Sequence, residues 1–438
     1  LAAVAVLLAT VASAAAAPAA KRPPNVLLII VDDLRADRLG AYGHGGASTP
    51  NFDALARRGA LFTEAFSQAG WTLPSVSSIL TGLYPTTHGV RRSLPEEWEA
   101  DPLRPAAALK SGSRLSPARV TLAAELRRRG YRTEAVVSCP FCDPVFGFGN
   151  GFDHYEHGGG TFEDINRAVS RRLNVLAAKQ PFFLYVHVLD AHRDGQSAMD
   201  DPEQRRLALS NYDAAVKIVD DGLGRLMAGL RARKLLGGTI VVATSDHGEE
   251  FGEHDHHGHG DSPYDTALHV PLLIRAPGAR PRRIAGPVQT IDILPTVLDL
   301  AGLPPLSGAQ GASLKPLIDA PDGAASGRTS YSEIYPHVPT DNDRLAAVAV
   351  RTPLWKYIWR PDGRDELYRI AVDPGEAEDL AAERPLSTAN FRRRVQGWLE
   401  DREREASRSA ASPDAVLPAE EVERLRQMGY LPPADRSR

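Results

Sequence analysis

Residues 25–33 read NVLLIIVDD. Six consecutive apolar residues follow Asn25, without the alternation of a half-exposed strand. A short unbroken run of this kind predicts a central parallel strand buried on both faces. Asp32 and Asp33 come directly after it. Two adjacent carboxylates at a buried strand end repel each other and lose hydration unless something positive meets them. A divalent cation is the simplest partner; a plain loop cap is the bland alternative.

Similar runs occur at 134–138, 182–189 (FFLYVHVL), 239–244 (TIVVAT) and 270–274 (VPLLI). Helical patterns lie between and around them at 51–59, 121–130, 162–178, 202–234 and 290–301. Strands alternating with helices predict an α/β domain over residues 24–302: a central, mostly parallel sheet flanked by helices. Sites in such sheets form at the carboxyl ends of the strands. Residues 303–327 are rich in Pro, Gly, Ala and Ser and read as a linker loop. Short β-like pieces at 346–351, 355–360 and 366–368 predict a small antiparallel subdomain within 328–380. Residues 381–438 read as a charged helical tail, ending in an amphipathic stretch at 418–428. No internal repeat is visible.

The chain has 438 residues, with 51 Lys+Arg against 55 Asp+Glu, a formal charge of −4. That balance gives no support for non-specific nucleic-acid binding, which needs a basic surface, and no nucleic-acid partner is expected. Residues 1–20 carry no charge and end in small residues, which predicts a secretory signal peptide, although neither a basic n-region nor an initiator Met precedes it. An uncleaved membrane anchor is the rival. The expectation is a periplasmic or secreted protein with no stable membrane span after signal cleavage. The two cysteines, Cys139 and Cys142, stand in SCPFCD. In an oxidising compartment they read as a local structural bridge or as idle thiols. A redox-active pair lacks a thioredoxin-like context. A zinc site would need two further ligands, for which Asp143 and His154 are a poor supply.

The strand TIVVAT runs into Ser245-Asp246-His247-Gly248-Glu249. A second carboxylate, now beside an imidazole, thus ends a second strand. Taken together, the two strand ends point to a metal, and mixed oxygen and nitrogen donors suit Zn, Mn or Fe better than Ca. A third stretch, GWTLPSVSSILTG at 70–82, places Thr72 before a Pro at the start of a helix that closes at Gly82. Helix capping explains that pattern by itself. The same position also presents a hydroxyl at a positive helix end, where an anionic ester binds well.

These pieces together resemble the sulfatase family of the alkaline-phosphatase superfamily. The resemblance rests on PNVLLIIVDDLRAD, STPNFDALARRGALFTEAFS, TLPSVSSILTGLYPTTHGV, GFDHY, VHVLDAH, TSDHGEEFGEH, GHG, HVPLLIRAPG, TIDILPTVLDLAG and the C-terminal ELYRIAVDPGEAEDLA. It spans residues 24–379, with the motifs in the family's order. It implies that Asp32, Asp33, Asp246 and His247 bind a divalent metal (Mn, Zn or Ca), and that Thr72 is the nucleophile and also contacts the metal. His192 matches the family's ester-oxygen-binding histidine. His259 falls where the family has a Lys or His that assists the substrate or leaving group. As plain residues, His192 reads equally as a loop histidine, and 254–259 as a solvated His-rich loop.

Two departures qualify the resemblance. Formylglycine sulfatases carry Cys or Ser at the nucleophile position, followed by x-Pro-Ser-Arg. Here the residues are Thr72 and Val76. Threonine cannot become the formylglycine aldehyde, so no formylglycine cofactor is expected. His247 stands where many calcium-type sulfatases have Asn. Both features look like relatives that use a Thr nucleophile on phosphate diesters, phosphonate esters or phospholipid head groups. This implies a small anionic ester as substrate, with a phosphodiester or phosphonate ester favoured. Alternatives are a sulfuric ester hydrolase without formylglycine, a head-group transferase and an inactive binding homologue. One metal site is favoured over two. Two-metal relatives add an Asp-x-x-x-His pair, whereas this chain has Asp190-x-His192, a spacing that puts both side chains on one face of an extended segment. The polar loop at 91–117 carries Arg91, Arg92, Arg104 and Lys110, which could attract an anion but read more simply as solvated charges.

Overall fold

The computed structural model describes residues 22–46, 48–91, 114–179, 181–194, 201–336 and 344–408, with the backbone of 108–109 and 415–416. The signal-like segment, most of the 91–117 loop and the stretch at 418–428 lie outside the described residues.

Eight strands form the main sheet: β1 (Asn25–Val31), β2 (Ala60–Phe66), β3 (Arg132–Val137), β4 (His154–His157), β5 (Phe182–Val188), β6 (Thr239–Ser245), β7 (His269–Arg275) and β8 (Arg282–Gln289). Their order is β8-β2-β7-β6-β1-β5-β3-β4. Every pairing is parallel except those of β7, which runs against both β2 and β6. The alkaline-phosphatase-like α/β fold is thus present, with one reversed strand.

β1 is central, and its alternation explains why. Val26, Leu28 and Ile30 enter one core cluster, and Leu27, Ile29 and Val31 the other. All six are 0–1% exposed. At about 1.5–3 kcal/mol per buried aliphatic side chain, the strand gains on the order of 10 kcal/mol before entropy. Burying the two carboxylates at its end costs several kcal/mol per ion. One core layer is covered by the long helices α4 (Phe162–Ala178) and α5 (Pro202–Ala232). The other contains α2 (Thr72–Thr81), α3 (Leu122–Arg128) and α6 (Ile293–Leu300); α1 (Pro50–Ala56) precedes β2.

Three strands of the main sheet escape the sequence pattern. β2 (ALFTEAF) places Thr63 and Glu64 mid-strand. β8 contains Gly286 and Pro287, where its register with β2 shifts. Pro and Gly are tolerated there because β8 is an edge strand. β4 (HYEH) is short, polar and at the other edge.

A separate antiparallel sheet follows: β9 (Ser330–Ile334), β10 (Ala347–Arg351), β11 (Lys356–Trp359) and β12 (Glu366–Tyr368), paired in that order. Helix α7 (Pro385–Ser407) packs across it. Its Trp398 ring stacks on Tyr331 at 4.6 Å and meets Tyr84 edge-on at 5.0 Å. Among the described residues no helix is long and apolar enough to cross a membrane.

Candidate active site

β5, β1 and β6 are adjacent and parallel, with Val31 level with Val188 on one side and Ser245 on the other. The residues that follow these strands therefore meet. Ser245 joins two of the ends: its Oγ lies 2.5 Å from the Val31 carbonyl and accepts the Leu34 N–H at 2.9 Å. Asp33 adopts a left-handed φ of 61°, unfavourable for a residue with a Cβ. Tyr212 of α5 holds that conformation, donating to the Asp33 carbonyl at 2.6 Å and accepting from Arg35 N–H at 2.9 Å. Backbone strain held by such contacts is typical of functional sites.

Thr72 comes from the other core layer. It is the first residue of α2, and Trp71 rather than Thr72 is the N-cap; no side chain caps this end. The capping explanation of Thr72 is thereby removed, because its hydroxyl turns away from the helix backbone. Thr72 Oγ1 lies 3.4 Å from Asp32 Oδ1 and 3.2 Å from His247 Nε2. Ser75, one turn on, instead donates to the Asp246 carbonyl at 2.6 Å, so Thr72 supplies the hydroxyl that faces the acids.

Two clusters of metal-ligating type result, one on each side of the His247 ring. On the Nε2 side lie Asp32 Oδ1 at 3.5 Å and Asp246 Oδ2 at 3.6 Å. Donor atoms each about 2.1 Å from one ion at the tetrahedral angle stand about 3.4 Å apart. Asp32 Oδ2 and Asp246 Oδ2 are buried with no hydrogen-bond partner. An unsatisfied buried polar atom costs about 1–3 kcal/mol, more when charged, and a divalent cation would satisfy both. The residues present therefore fit such an ion.

On the Nδ1 side stands Asp33, with Oδ1 2.9 Å from that nitrogen and 3.4 Å from His259 Nδ1. Its Oδ2 is 2.5 Å from His192 Nδ1. His259 Nδ1 is also 2.9 Å from Glu249 Oε2. Asp32 and Asp33, neighbours in sequence, thus serve different clusters. Asp32, Asp33, Asp246 and His247 have fully buried side chains, whereas His192 and His259 keep 14% and 11% exposure and reach toward solvent.

The electrostatics follow from this packing. Burial alone would push Asp33 up, but His259, His192 and His247 hold it well below the ordinary carboxylate value. Burial disfavours a charged His192, yet the Asp33 carboxylate raises it to about 9. Burial and then the Asp32 charge push Asp246 up to about 6.

Asp190 does not join His192. The chain turns into a short 3-10 segment at Asp190–Asp194, so the extended-segment spacing does not apply. Asp190 Oδ2 accepts the Phe162 N–H at 2.7 Å at the start of α4. The cysteines form no bridge: both thiols are free. Both are fully buried, and with His187 they form a third cluster; Cys142 Sγ is 3.0 Å from His187 Nδ1. His187 and Glu249 are the site residues that sequence pattern alone passes over. His187 reads as one more position of a buried strand, and Glu249 as one more acid in a polar loop.

The family model described as "Sulfatase" matches residues 24–303, and that described as "N-sulphoglucosamine sulphohydrolase, C-terminal" matches 252–403. Arylsulfatase K of Danio rerio is 34% identical over 194 residues, 42% of this chain and 35% of the relative. The chain thus spans about a third of that relative's length. The ulvan-active sulfatase of Formosa agariphila is 26% identical over 403 residues, 82% of this chain and 77% of the relative. Among solved structures, phosphonate monoester hydrolase of Agrobacterium radiobacter superposes with a TM-score of 0.70 at 22% identity, covering 86% of this chain and 96% of that one. A protein solved with its substrate D-glucosamine-2-N,6-O-disulfate gives 0.70 at 19% identity, covering 90% and 99%. At these identities the structural likeness speaks for the fold alone.

Proposed function

This chain belongs to the sulfatase family, and on that premise we propose that it is an exported, metal-dependent hydrolase that attacks a phosphate diester or phosphonate ester through the Thr72 hydroxyl. The observation that carries this reading is the position of Thr72 Oγ1, set against Asp32 and His247 at the start of α2. A threonine there excludes the aldehyde-hydrate route and leaves direct displacement.

Sulfatase-family enzymes generally use a divalent metal. Asp32, Asp246 and His247 would hold it, with Thr72 beside them; the Gly248 carbonyl, 3.0 Å from the other ring nitrogen of His247, fixes the imidazole, and Asp33 stands next to it at 2.9 Å. When bound, such an ion acts as a Lewis acid and makes a nearby hydroxyl more acidic. The Thr72 hydroxyl, directed at Asp32 Oδ1 at 3.4 Å, passes its proton to that carboxylate and on to solvent; its oxygen attacks phosphorus in line, and the bond to the leaving alcohol oxygen breaks. His192, held charged by Asp33, stabilises the growing negative charge on the equatorial oxygens. His259, oriented through Nδ1 by Glu249 and Asp33, gives a proton to the departing alkoxide. Water then attacks the Thr72 ester, restoring the hydroxyl and releasing the acid. The partial exposure of His192 and His259 supports their contact with a small anionic ester.

Hydrolysis of a sulfuric ester is the second reading, favoured by the names of the relatives and by the match to the sulphohydrolase C-terminal model. The deciding test is a comparison of kcat/KM for the purified, Mn- or Zn-loaded protein on nitrophenyl phosphodiesters and phosphonates against nitrophenyl sulfate. The proposal expects a strong preference for phosphorus, and a preference for sulfate overturns it. Export is supported by the uncharged, small-residue stretch at 1–20.

A further inference from the structure

His187 lies in β5, level with Ile30 of β1 and Val137 of β3, and is fully buried. Its Nδ1 is engaged at 2.8 Å by the Tyr185 hydroxyl and at 3.0 Å by Cys142 Sγ. Its Nε2 has no hydrogen-bond partner. The ring aims that nitrogen between Asp32 Oδ2, at 3.5 Å, and Asp246 Oδ2, at 4.0 Å. Those two oxygens are themselves buried and without partners. Three buried atoms without a well-formed hydrogen bond, from the ends of three neighbouring strands, therefore face one another at ion-pair distances.

We propose that His187 is a further metal ligand, its Nε2 joining Asp32, Asp246 and His247 around one divalent ion while Cys142 and Tyr185 fix the ring from behind. This rests on the metal-dependent reading above. The spacing suits it: donors each about 2.1 Å from one ion stand about 3 Å apart at a right angle and about 4 Å apart as the angle opens. The rear of the ring suits it too. Metal-bound imidazoles hand their other N–H to an acceptor that fixes tautomer and orientation. Here Nδ1–H meets the Tyr185 oxygen, and the Tyr185 hydroxyl lies 3.8 Å from Cys142 Sγ as its own acceptor. The inference also gives the CPFC segment a task, which is to deliver Cys142 to the back of a ligand. The competing account makes His187 a protonated counter-charge to Asp32 and Asp246. The two accounts differ in sign. Removing a ligand weakens metal binding, whereas removing a competing cation strengthens it.

The test uses the full chain and Mn(II) or Zn(II), titrated against a chromophoric chelator. His187→Gln is expected to weaken binding by about tenfold or more, and Cys142→Ser by less. Unchanged or tighter binding in His187→Gln overturns the inference. Pulsed electron paramagnetic resonance of the Cu(II)-loaded unmodified protein needs no variant to fold. Two coupled imidazoles are expected, and a single one overturns the inference while leaving the metal reading intact. A protein that takes up no divalent ion at all overturns the reading beneath it and the inference with it.

Discussion

The Thr72 hydroxyl oxygen lies 3.2 Å from Nε2 of His247, a residue 175 positions away. Thr72 opens α2 in one core layer, and His247 follows β6 in the sheet, so only the folded chain joins them. This contact makes Thr72 the first residue to substitute. Thr72→Ala should lower kcat/KM on the preferred ester by on the order of 10³-fold or more. Thr72→Ser, which keeps the oxygen, should retain most of the activity. Steady-state kinetics on both variants, with mass spectrometry for a transient adduct on Thr72, checks this. Full activity in the alanine variant would sink the nucleophile assignment.

His259 faces Asp33 and Glu249 through one nitrogen, the arrangement of an oriented proton donor. Its loss should matter in proportion to how poor the leaving group is. His259→Gln should cost about 10²–10⁴-fold on an alkyl ester and little on a nitrophenyl ester, whose phenolate departs without help. A series of esters of graded leaving-group acidity gives the slope. Equal losses across the series would assign His259 to positioning instead.

The acid cluster on the Nε2 side of His247 should make both activity and stability depend on metal. Chelation should abolish turnover, and refilling with Mn or Zn should restore it. Because an ion that binds only the folded chain stabilises it by mass action, about 100-fold excess over Kd should add about 2.7 kcal/mol. Elemental analysis should find one equivalent per chain. Two equivalents would assign Asp33, His192 and His259 to a second centre.

Glu333 of β9 supplies a pH test that involves none of the proposed catalytic or metal-binding residues. Burial pushes its carboxyl up to about 7, although Thr86 N–H and Oγ1 both donate to it at 2.7 Å. A carboxyl raised on folding is protonated in the folded chain between its unfolded value near 4.5 and about 7. Its stabilising contribution is therefore present below that window and lost as pH rises through it. The loss is about 1.4 kcal/mol per unit, or about 3 kcal/mol by pH 8. Denaturant unfolding from pH 5 to 8 should show this slope in the unmodified protein and a flatter one in Glu333→Gln. Identical slopes would refute the assignment.

The sequence alone carried the parts of this protein whose cause is local. NVLLIIVDD and TIVVATSDH announce themselves because continuous burial on both faces admits only apolar side chains, so polar groups at the strand ends stand out. The helix at Phe162–Ala178 follows from its own periodicity; the structure adds that Thr161 caps it. Tertiary structure decided what depends on neighbours. Ala60–Phe66 and Arg282–Gln289 pair with each other, and Ala60–Phe66 pairs also with β7; the polar Thr63 and Glu64 and the Gly286-Pro287 interruption hide both strands from the sequence pattern. Asp32 and Asp33 serve opposite sides of His247 because a left-handed turn at Asp33, held by Tyr212, points successive carboxylates apart. His187 reads in the sequence as one more strand residue. Its meaning comes from strand order: β5 lies beside β1, which brings its imidazole to Asp32 and Asp246 and leaves three buried polar atoms facing one another without a hydrogen bond.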